Sequence, residues 1–359
     1  MSRKHECEGK RMNAKPILSI FIATYNRKEI LLDKIRSLLK IKSNDFDILV
    51  LDDMSTDGTF DALKAVEDSR ICVVQNEERN GLIKDGVMQN WYRLLEMCDG
   101  QFAFHLNDRD LIDTEGLADL IIFLKEHPTV TGGICNIGGG YKLLESPEEC
   151  FMSIPYFGSH PTGIIFNMDE YRLIRNRQKL FTREAAYIHP HDLILGQLAE
   201  YGEMFQFKRI WSLAGTESFA NNKSFLYKKG TTEDAWFSPR ARTTEFGLFV
   251  EQIAKSSFSV ELKKKKAVQI AKRYLFYCTL NYAFFISDAG QTAHYGIEPR
   301  KLSRQELAAI MKDFVNESYE ILRSNGLDGN KAMFKNMMTS YFWAIYFGKP
   351  VWDKVKKLK

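Results

Sequence analysis

A chain of 359 residues is long enough for two domains, or for one large domain with an appendage. Its 45% hydrophobic and 27% charged residues are ordinary for a soluble globular protein, and a formal net charge of +4 is too small to argue for a nucleic-acid partner. No apolar run approaches the roughly 20 residues that span a bilayer, and residues 1–15 are polar, without the apolar core of a signal peptide. The six cysteines (Cys7, Cys72, Cys98, Cys135, Cys150 and Cys278) lie far apart with no Cys-x-x-Cys pair. That spacing argues for reduced thiols rather than a disulfide framework or a zinc site. The expectation is a cytoplasmic protein with a flexible N-terminus over residues 1–15.

Ile17 to Ala23 is a continuous apolar run that predicts a strand, ending in Thr24-Tyr25-Asn26-Arg27. Ile30, Leu31, Ile35, Leu38 and Leu39 then recur at helical spacing. Phe46 to Leu51 predicts a second strand, Phe60 to Val66 a helix and Ile71 to Val74 a third strand. Val87 to Met97 predicts a helix with Trp91, Leu94 and Leu95 inward; Phe102 to Leu106 predicts a fourth strand and Leu117 to Leu124 another helix. Strands alternating with helices imply crossover units and a largely parallel sheet. The right-handed crossover rule puts the loops at 24–27, 52–59, 76–81 and 107–110 on one edge.

From Val130 the pattern loosens, with glycines at 132, 133, 138, 139 and 140. Residues 159–167 predict a loop and strand, His189 to Tyr201 turns helical, and Phe205 to Ile210 is a candidate closing strand. Asn221 to Arg242 is polar and aromatic, with Gly230 and Pro239, and predicts a long loop. A domain boundary is expected near Thr243. Beyond it the pattern is helical, with Ser303 and Glu306 forming a capping box that opens a helix through Leu322. Tyr274 to Ile286 and Met333 to Phe347 are rich in aromatics. There are no internal repeats.

Two loops carry the chemistry. Asp52-Asp53-Met54-Ser55-Thr56-Asp57-Gly58-Thr59 follows an apolar strand, where adjacent carboxylates are costly unless something satisfies them. The carboxyl edge of such a sheet is where ligands bind, although the same residue types suit capping of the next helix. Asn107-Asp108-Arg109-Asp110 follows the fourth strand on the same edge. Acidic groups gathered there repel one another unless a cation sits among them. Asp108 and Asp110, two apart on an extended loop, can turn both carboxylates to one hard divalent ion with positions open for phosphate oxygens.

Together, Ile20-Phe21-Ile22-Ala23-Thr24-Tyr25-Asn26-Arg27, the Asp52 octet, Asn90-Trp91 and the acidic loop around Asp108 resemble family 2 glycosyltransferases, from Ile17 to about Ile210. The resemblance implies an α/β, GT-A type, Rossmann-like mixed sheet flanked by helices over residues 16–243, followed by a C-terminal helical domain over 244–359. It implies inverting transfer of a sugar from a nucleotide sugar, usually a uridine diphosphate sugar, with Mn2+ or Mg2+. Thr24, Asn26, Arg27, Asp52, Asp53, Asn80, Asp108 and Arg109 are the implied nucleotide-sugar contacts, and Asp108 and Asp110 the implied metal ligands. The commonest family pattern, Asp-x-Asp-Asp, aligns with Asn107 to Asp110 and sets Arg109 at a metal-ligand position. A guanidinium there is suited to neutralising the diphosphate itself.

At His189-Pro190-His191-Asp192 the family has a Glu-Asp pair whose Asp is the general base, so Asp192 inherits that role and His191 stands where the Glu would be. Asp192 is equally placed to cap the following helix. Ser159-His160-Pro161-Thr162-Gly163 resembles the family's small-residue approach to the acceptor, giving Thr162, Gly163 and His191 as acceptor-side residues. If Asp192 is only a cap, His191 and Glu184 are next in line as base. Trp236 to Arg242 suits a lid over a sugar diphosphate, or a plain interdomain linker. The expected partners are a nucleotide-sugar donor and a glycan or lipid-linked glycan acceptor in surface polysaccharide synthesis, and no nucleic acid. A homodimer through the C-terminal helices is a further expectation. Lys263 to Lys266 and the lysine-rich tail suggest peripheral contact with an anionic membrane face. The competing readings are an inactive nucleotide-binding scaffold and a sugar nucleotidyltransferase, whose Gly-rich basic loop near the start is here Thr24-Tyr25-Asn26-Arg27.

Overall fold

The computed structural model describes residues 15–80, 88–158, 160–181, 189–213, 235–293 and 295–356. They divide into two compact units, Met1–Leu226 and Tyr227–Lys359.

The first unit opens with β1 (Leu18–Thr24), α1 (Lys28–Leu39), β2 (Phe46–Asp52), α2 (Thr59–Lys64), β3 (Ile71–Gln75), α3 (Gln89–Met97) and β4 (Phe102–His105). The alternation predicted from sequence is the one observed. β1 pairs in parallel with β2 on one side and β4 on the other, and β2 with β3. β1 is buried along almost its whole length, as a central strand covered on both faces must be, and this is why it reads as a continuous apolar run. On α1 the buried positions are Leu31, Leu32, Lys34, Ile35 and Leu38, so the apolar stripe at i, i+3, i+4 and i+7 contains a lysine. Ile30, expected inward, is exposed.

The chain continues through β5 (Leu111–Ile112), α4 (Thr114–Glu126), β6 (Gly132–Ile137), β7 (Tyr141–Leu144), α5 (Pro147–Ser153), β8 (Ile164–Asn167), α6 (Met168–Leu173), α7 (Pro190–Leu198), β9 (Met204–Lys208) and β10 (Trp211–Ser212). The main sheet has eight strands in the order β3-β2-β1-β4-β8-β6-β9-β7, and β10 with β5 makes a two-stranded ribbon. β8 runs antiparallel to both β4 and β6. The glycines after Val130, which loosen the sequence pattern, fall at Gly132 and Gly133 inside β6. Their function is close packing: a Cβ built on Gly133 would lie 2.5 Å from the Phe205 ring. β9 is one strand in from the edge, which β7 forms.

The second unit is helical: α8 (Pro239–Lys255), α9 (Val260–Phe276), a π-helical segment at Tyr277–Asn281, α10 (Tyr282–Ser287), α11 (Ala289–Ala293), α12 (Arg304–Ser324) and α13 (Lys331–Lys356). The capping box at Ser303 and Glu306 is formed. Thr243, the expected boundary, lies within α8. Trp236 and Phe237, expected in a lid or linker, pack with Tyr282, Phe285 and Tyr295. Arg242 lies between the rings of Trp236 and Tyr277 and pairs with Glu245 at 3.0 Å. The polar, aromatic composition here belongs to a helix start with a buried ion pair; residues 221–234 of the expected loop lie outside the described residues. Cys98, Cys135, Cys150 and Cys278 are free and buried.

Gly133→Ala should cost about 1–3 kcal/mol, the range for overpacking a core. Urea unfolding measures it, and an unchanged midpoint would show that Phe205 has room to move.

Candidate active site

The parallel strands bring their carboxyl ends to one edge, and the loops there are stitched by side chains. Asp53 N donates to Thr24 O at 2.9 Å, Asn26 N to Ser55 Oγ at 2.8 Å, and Thr56 N to Asn26 Oδ1 at 2.7 Å. Asn26 and Met54 sit at φ of 53° and 63°, the left-handed backbone that such tight crossings require. Asp52 and Asp53 do not cap α2: Gly58 is its N-cap, and Asp57 Oδ1 accepts from Thr59 N. Instead Asp52 Oδ2 accepts from Ser55 N and from Gln75 Nε2, while Asp52 Oδ1 is buried without a hydrogen-bond partner. Asp53 Oδ1 accepts from Asn76 Nδ2 at 2.7 Å and from Asn80 N at 2.8 Å. Asn80 and Asn76 both reach Asn90 Oδ1, and Arg93 donates to Asn76 Oδ1. Arg79 lies over the Tyr25 ring at 3.8 Å.

The loop after β4 joins the same edge. Thr24 Oγ1 donates to Asp108 Oδ2 at 3.2 Å, and Arg27 Nε lies 4.0 Å from that oxygen. Lys34, almost wholly buried on α1, donates to Asn107 O at 2.6 Å. Burial lowers its pKa to about 8, while Asp108 and Asp110 both pull it upward, so at neutral pH it is an ammonium. Asp110 is fully buried. Its Oδ2 accepts from Asn107 Nδ2 at 3.0 Å, from Thr162 Oγ1 and from His160 Nε2 at 2.6 Å. Burial pushes its pKa up, and the hydrogen bonds led by His160 outweigh this and hold it low. Asp108 moves the other way, raised by burial against the pull of Lys34, Arg27 and Arg109.

The expected single focus for a divalent ion is not what this loop makes. Asp108 and Asp110 are held by different partners, and both carboxylates act on the Arg109 guanidinium, raising its pKa against the lowering by burial. Among the described residues no group of three or more His, Cys, Asp or Glu is arranged to hold a metal.

The acceptor-side expectations are also redistributed. Thr162 is buried, accepts from Asn107 N and donates to Asp110. At Gly163, φ is +89° and a Cβ would lie 2.5 Å from Trp211 Nε1, so the close approach predicted for a sugar is made by Trp211. Trp211 stacks on His160 with centroids 4.6 Å apart, and its Nε1 donates to Cys135 O. Sequence spacing gave no signal for Trp211, which sits on a two-residue strand. Lys34 was also missed, but its place on the apolar stripe of α1, between Leu31 and Leu38, is a legible signal.

Asp192 and His191 are both buried in the first turn of α7. Asp192 Oδ1 accepts from Tyr156 N at 2.7 Å, and Tyr156 has a φ of 71°. His191 lies 5.9 Å from the Trp91 ring, which lies 4.0 Å from His105 at the end of β4. That aromatic chain connects Asp192 to the ligand-facing edge. Ser159 and Glu184 lie outside the described residues.

A half-parallel sheet with carboxylates and asparagines interlocked along its carboxyl edge defines the first unit as an α/β domain of the GT-A type. Residues 19–181, within this unit, match the model of "Glycosyl transferase family 2". The match ends before Asp192. The chain is 32% identical over 116 residues to TuaG of Bacillus subtilis, a glycosyltransferase assigned to teichuronic acid biosynthesis, covering 32% of this chain and 44% of that protein. It is 35% identical over 109 residues to the Escherichia coli protein WfaP, a UDP-Glc:alpha-D-GlcNAc-diphosphoundecaprenol beta-1,3-glucosyltransferase, covering 30% and 41%. The matches thus span less than half of either relative. In fold it is similar to residues 1–349 of S. aureus TarS in complex with UDP-GlcNAc, with a TM-score of 0.57, 15% identity, and 92% of each chain covered.

His105, wholly buried, has its pKa lowered by burial to about 3 from an ordinary 6.5, against a smaller upward pull from Asp110. The neutral ring's contribution to stability is therefore whole above pH 6.5 and is lost as the pH falls toward 3, at up to about 1.4 kcal/mol per pH unit. Denaturant unfolding of His105→Phe should vary less between pH 6.5 and 4 than that of the parent. Equal slopes would remove His105 as the cause.

Proposed function

We propose that the chain is a glycosyltransferase that moves a sugar from a UDP-sugar to a hydroxyl of a glycan or lipid-linked glycan, with inversion, in the synthesis of a cell-surface polysaccharide. The observation that carries the reading is Asp52 Oδ1, a buried acceptor without a partner at the edge where the three loops interlock. Leaving such an atom unsatisfied costs about 1–3 kcal/mol, and the N3–H of a uracil is a donor that would satisfy it. Asp53, fixed by Asn76 and Asn80, would meet the ribose, with Thr24 and Asn26 shaping the same pocket wall. The diphosphate would lie toward Arg27, Asp108 and Arg109. The UDP-glucose donor named for the E. coli relative and the UDP-GlcNAc complex of the S. aureus protein support this choice of nucleotide.

In a single displacement the acceptor hydroxyl attacks the anomeric carbon as the bond to diphosphate breaks, and a carboxylate takes the hydroxyl proton. Asp192 is our choice for that base. The α7 N-terminus favours its ionised form, and its bond to Tyr156 N fixes the carboxylate at a strained turn, a placement found where sites are preorganised.

Asp52→Asn, which turns the spare acceptor into an amide, should weaken UDP binding about 10- to 100-fold by calorimetry, the equivalent of one charged hydrogen bond. Unchanged affinity would mean that the base is held elsewhere. Asp192→Asn should lower turnover by about 100- to 10,000-fold while UDP affinity is kept; near-parental turnover would leave Asp192 as an anchor for the Tyr156 turn. A lipid-linked acceptor also calls for membrane contact. No helix among the described residues is long and apolar enough to cross a membrane, so contact would be peripheral, through the exposed Phe284, Met333 and Phe347 and through Lys264 and Lys265 of α9; Lys266, expected on the same face, is buried. Flotation with anionic vesicles at low salt is expected, and its absence would leave the helical unit without this role.

A further inference from the structure

Four side chains follow one another along the carboxyl edge of the sheet. Asp52 ends β2, Thr24 ends β1, Asp108 follows β4, and His160 lies in the segment leading into β8. β8 is antiparallel to β4, so its start meets the carboxyl end of β4. The order β2-β1-β4-β8 therefore separates His160 from Asp52 by three strand spacings. That is roughly 14 Å at about 4.8 Å each. In a UDP-sugar whose uracil meets Asp52 and whose diphosphate reaches the loop after β4, the sugar ring comes next along this line.

His160 is prepared for a polar ligand there. Its Nε2 lies 2.6 Å from Asp110 Oδ2. Burial raises the Asp110 pKa, but its hydrogen bonds hold it low, so the carboxylate is ionised and Nε2 donates. Asn107 Nδ2, 3.2 Å from Nε2, donates to the same Asp110 oxygen. In the neutral ring Nδ1 is then an acceptor. It has no hydrogen-bond partner among the described residues, and a quarter of the side chain is exposed. Trp211 fixes the ring plane by stacking on it with centroids 4.6 Å apart, and is itself held through Nε1 to Cys135 O at 3.0 Å. An oriented acceptor beside an aromatic face suits a sugar hydroxyl, which is a donor.

We infer that His160 Nδ1 accepts a hydrogen bond from a hydroxyl of the transferred sugar, which makes His160 a specificity-determining residue of the donor site. Asp110 and Trp211 act through it as positioning residues. The two ring nitrogens thus have separate roles. Nε2 serves the fold, where Asp110 already carries one buried oxygen, Oδ1, without a partner. Nδ1 serves the ligand. This inference rests on the UDP-sugar reading above.

The test is calorimetry of the full chain with UDP, UDP-glucose and UDP-GlcNAc, comparing the parent with His160→Gln. The glutamine amide can keep the bond to Asp110 in place of Nε2, but it brings no ring nitrogen in place of Nδ1. The expected result is UDP affinity within about twofold of the parent and a loss of about 3- to 10-fold for the UDP-sugar that the parent binds more tightly, the size of one hydrogen bond. Equal losses for UDP and the UDP-sugar would overturn the inference and leave His160 as a prop for Asp110. Unchanged affinity for both would overturn it as well. If far-ultraviolet dichroism shows that His160→Gln does not fold, histidine nitrogen NMR of the parent decides. An unprotonated Nδ1 should then shift with the UDP-sugar and not with UDP, and spectra in which no histidine nitrogen distinguishes the two overturn the inference. A parent that binds none of the three nucleotides rejects the donor reading itself, a result distinct from a parent and variant that bind alike.

Discussion

Asp110 sits fully buried on a loop, and a carboxylate in that position is tolerated only because three donors converge on one of its oxygens. Those donors come from the loop itself and from the segment leading into β8. The hydrogen bond to Thr162 therefore fixes the parallel half of the sheet to the antiparallel half at the edge where ligands enter. Thr162 in turn accepts from Asn107 N, and Gly163 N donates to His105 O, so backbone and side chain close the same seam. His160 is held against Asp110 by the Trp211 ring, which needs the bare backbone of Gly163 to approach. Trp211, Gly163, His160 and Thr162 thus serve one carboxylate.

Asp53, Asp108 and Asp52, on the same edge, are stabilised in three different ways. Asp53 is fixed by neutral amides, which orient it without cancelling its charge. Asp108 lies against cations, which cancel charge without fixing direction as tightly. Asp52 has one oxygen bound and one left over, the arrangement of a group that awaits a donor. Asp110 Oδ1, on the same edge, is likewise buried without a partner, and each such orphan weakens the fold unless something satisfies it.

Much of this was legible in the sequence. The strand–helix alternation is strongly periodic and the central strands are apolar throughout, so the order of β1 to β4 and the shared edge of their loops follow from pattern alone. The Asp52 octet and the Asp108 loop are contiguous motifs, and the structure brings them together through Thr24. Where sequence reading failed, the reason was long-range. Gly132 and Gly133 resemble a loop, yet they form a strand because Phe205 fills the space their side chains would take. Gly163 and Thr162 carry small-residue character because of Trp211 and Asp110, which are 48 and 52 residues away in sequence. The residues from Trp236 to Arg242 have the composition of a loop, but Arg242 and Glu245 satisfy each other inside the helical unit.

Arg109 and Lys34 are best understood together, since Asp108 and Asp110 act on both. Arg109 alone, set among carboxylates, would pair with them and leave the loop near neutral, with little pull on a diphosphate. Lys34 changes that balance, because its charge already answers Asp108 and Asp110 from the core side. The carboxylates then cancel less of the Arg109 charge. Stabilising a departing diphosphate depends on charges that are in place before the bond breaks. Cations anchored to α1 and to the loop meet that condition through the fold itself, since the helix and strand that carry them are set by the core of the sheet.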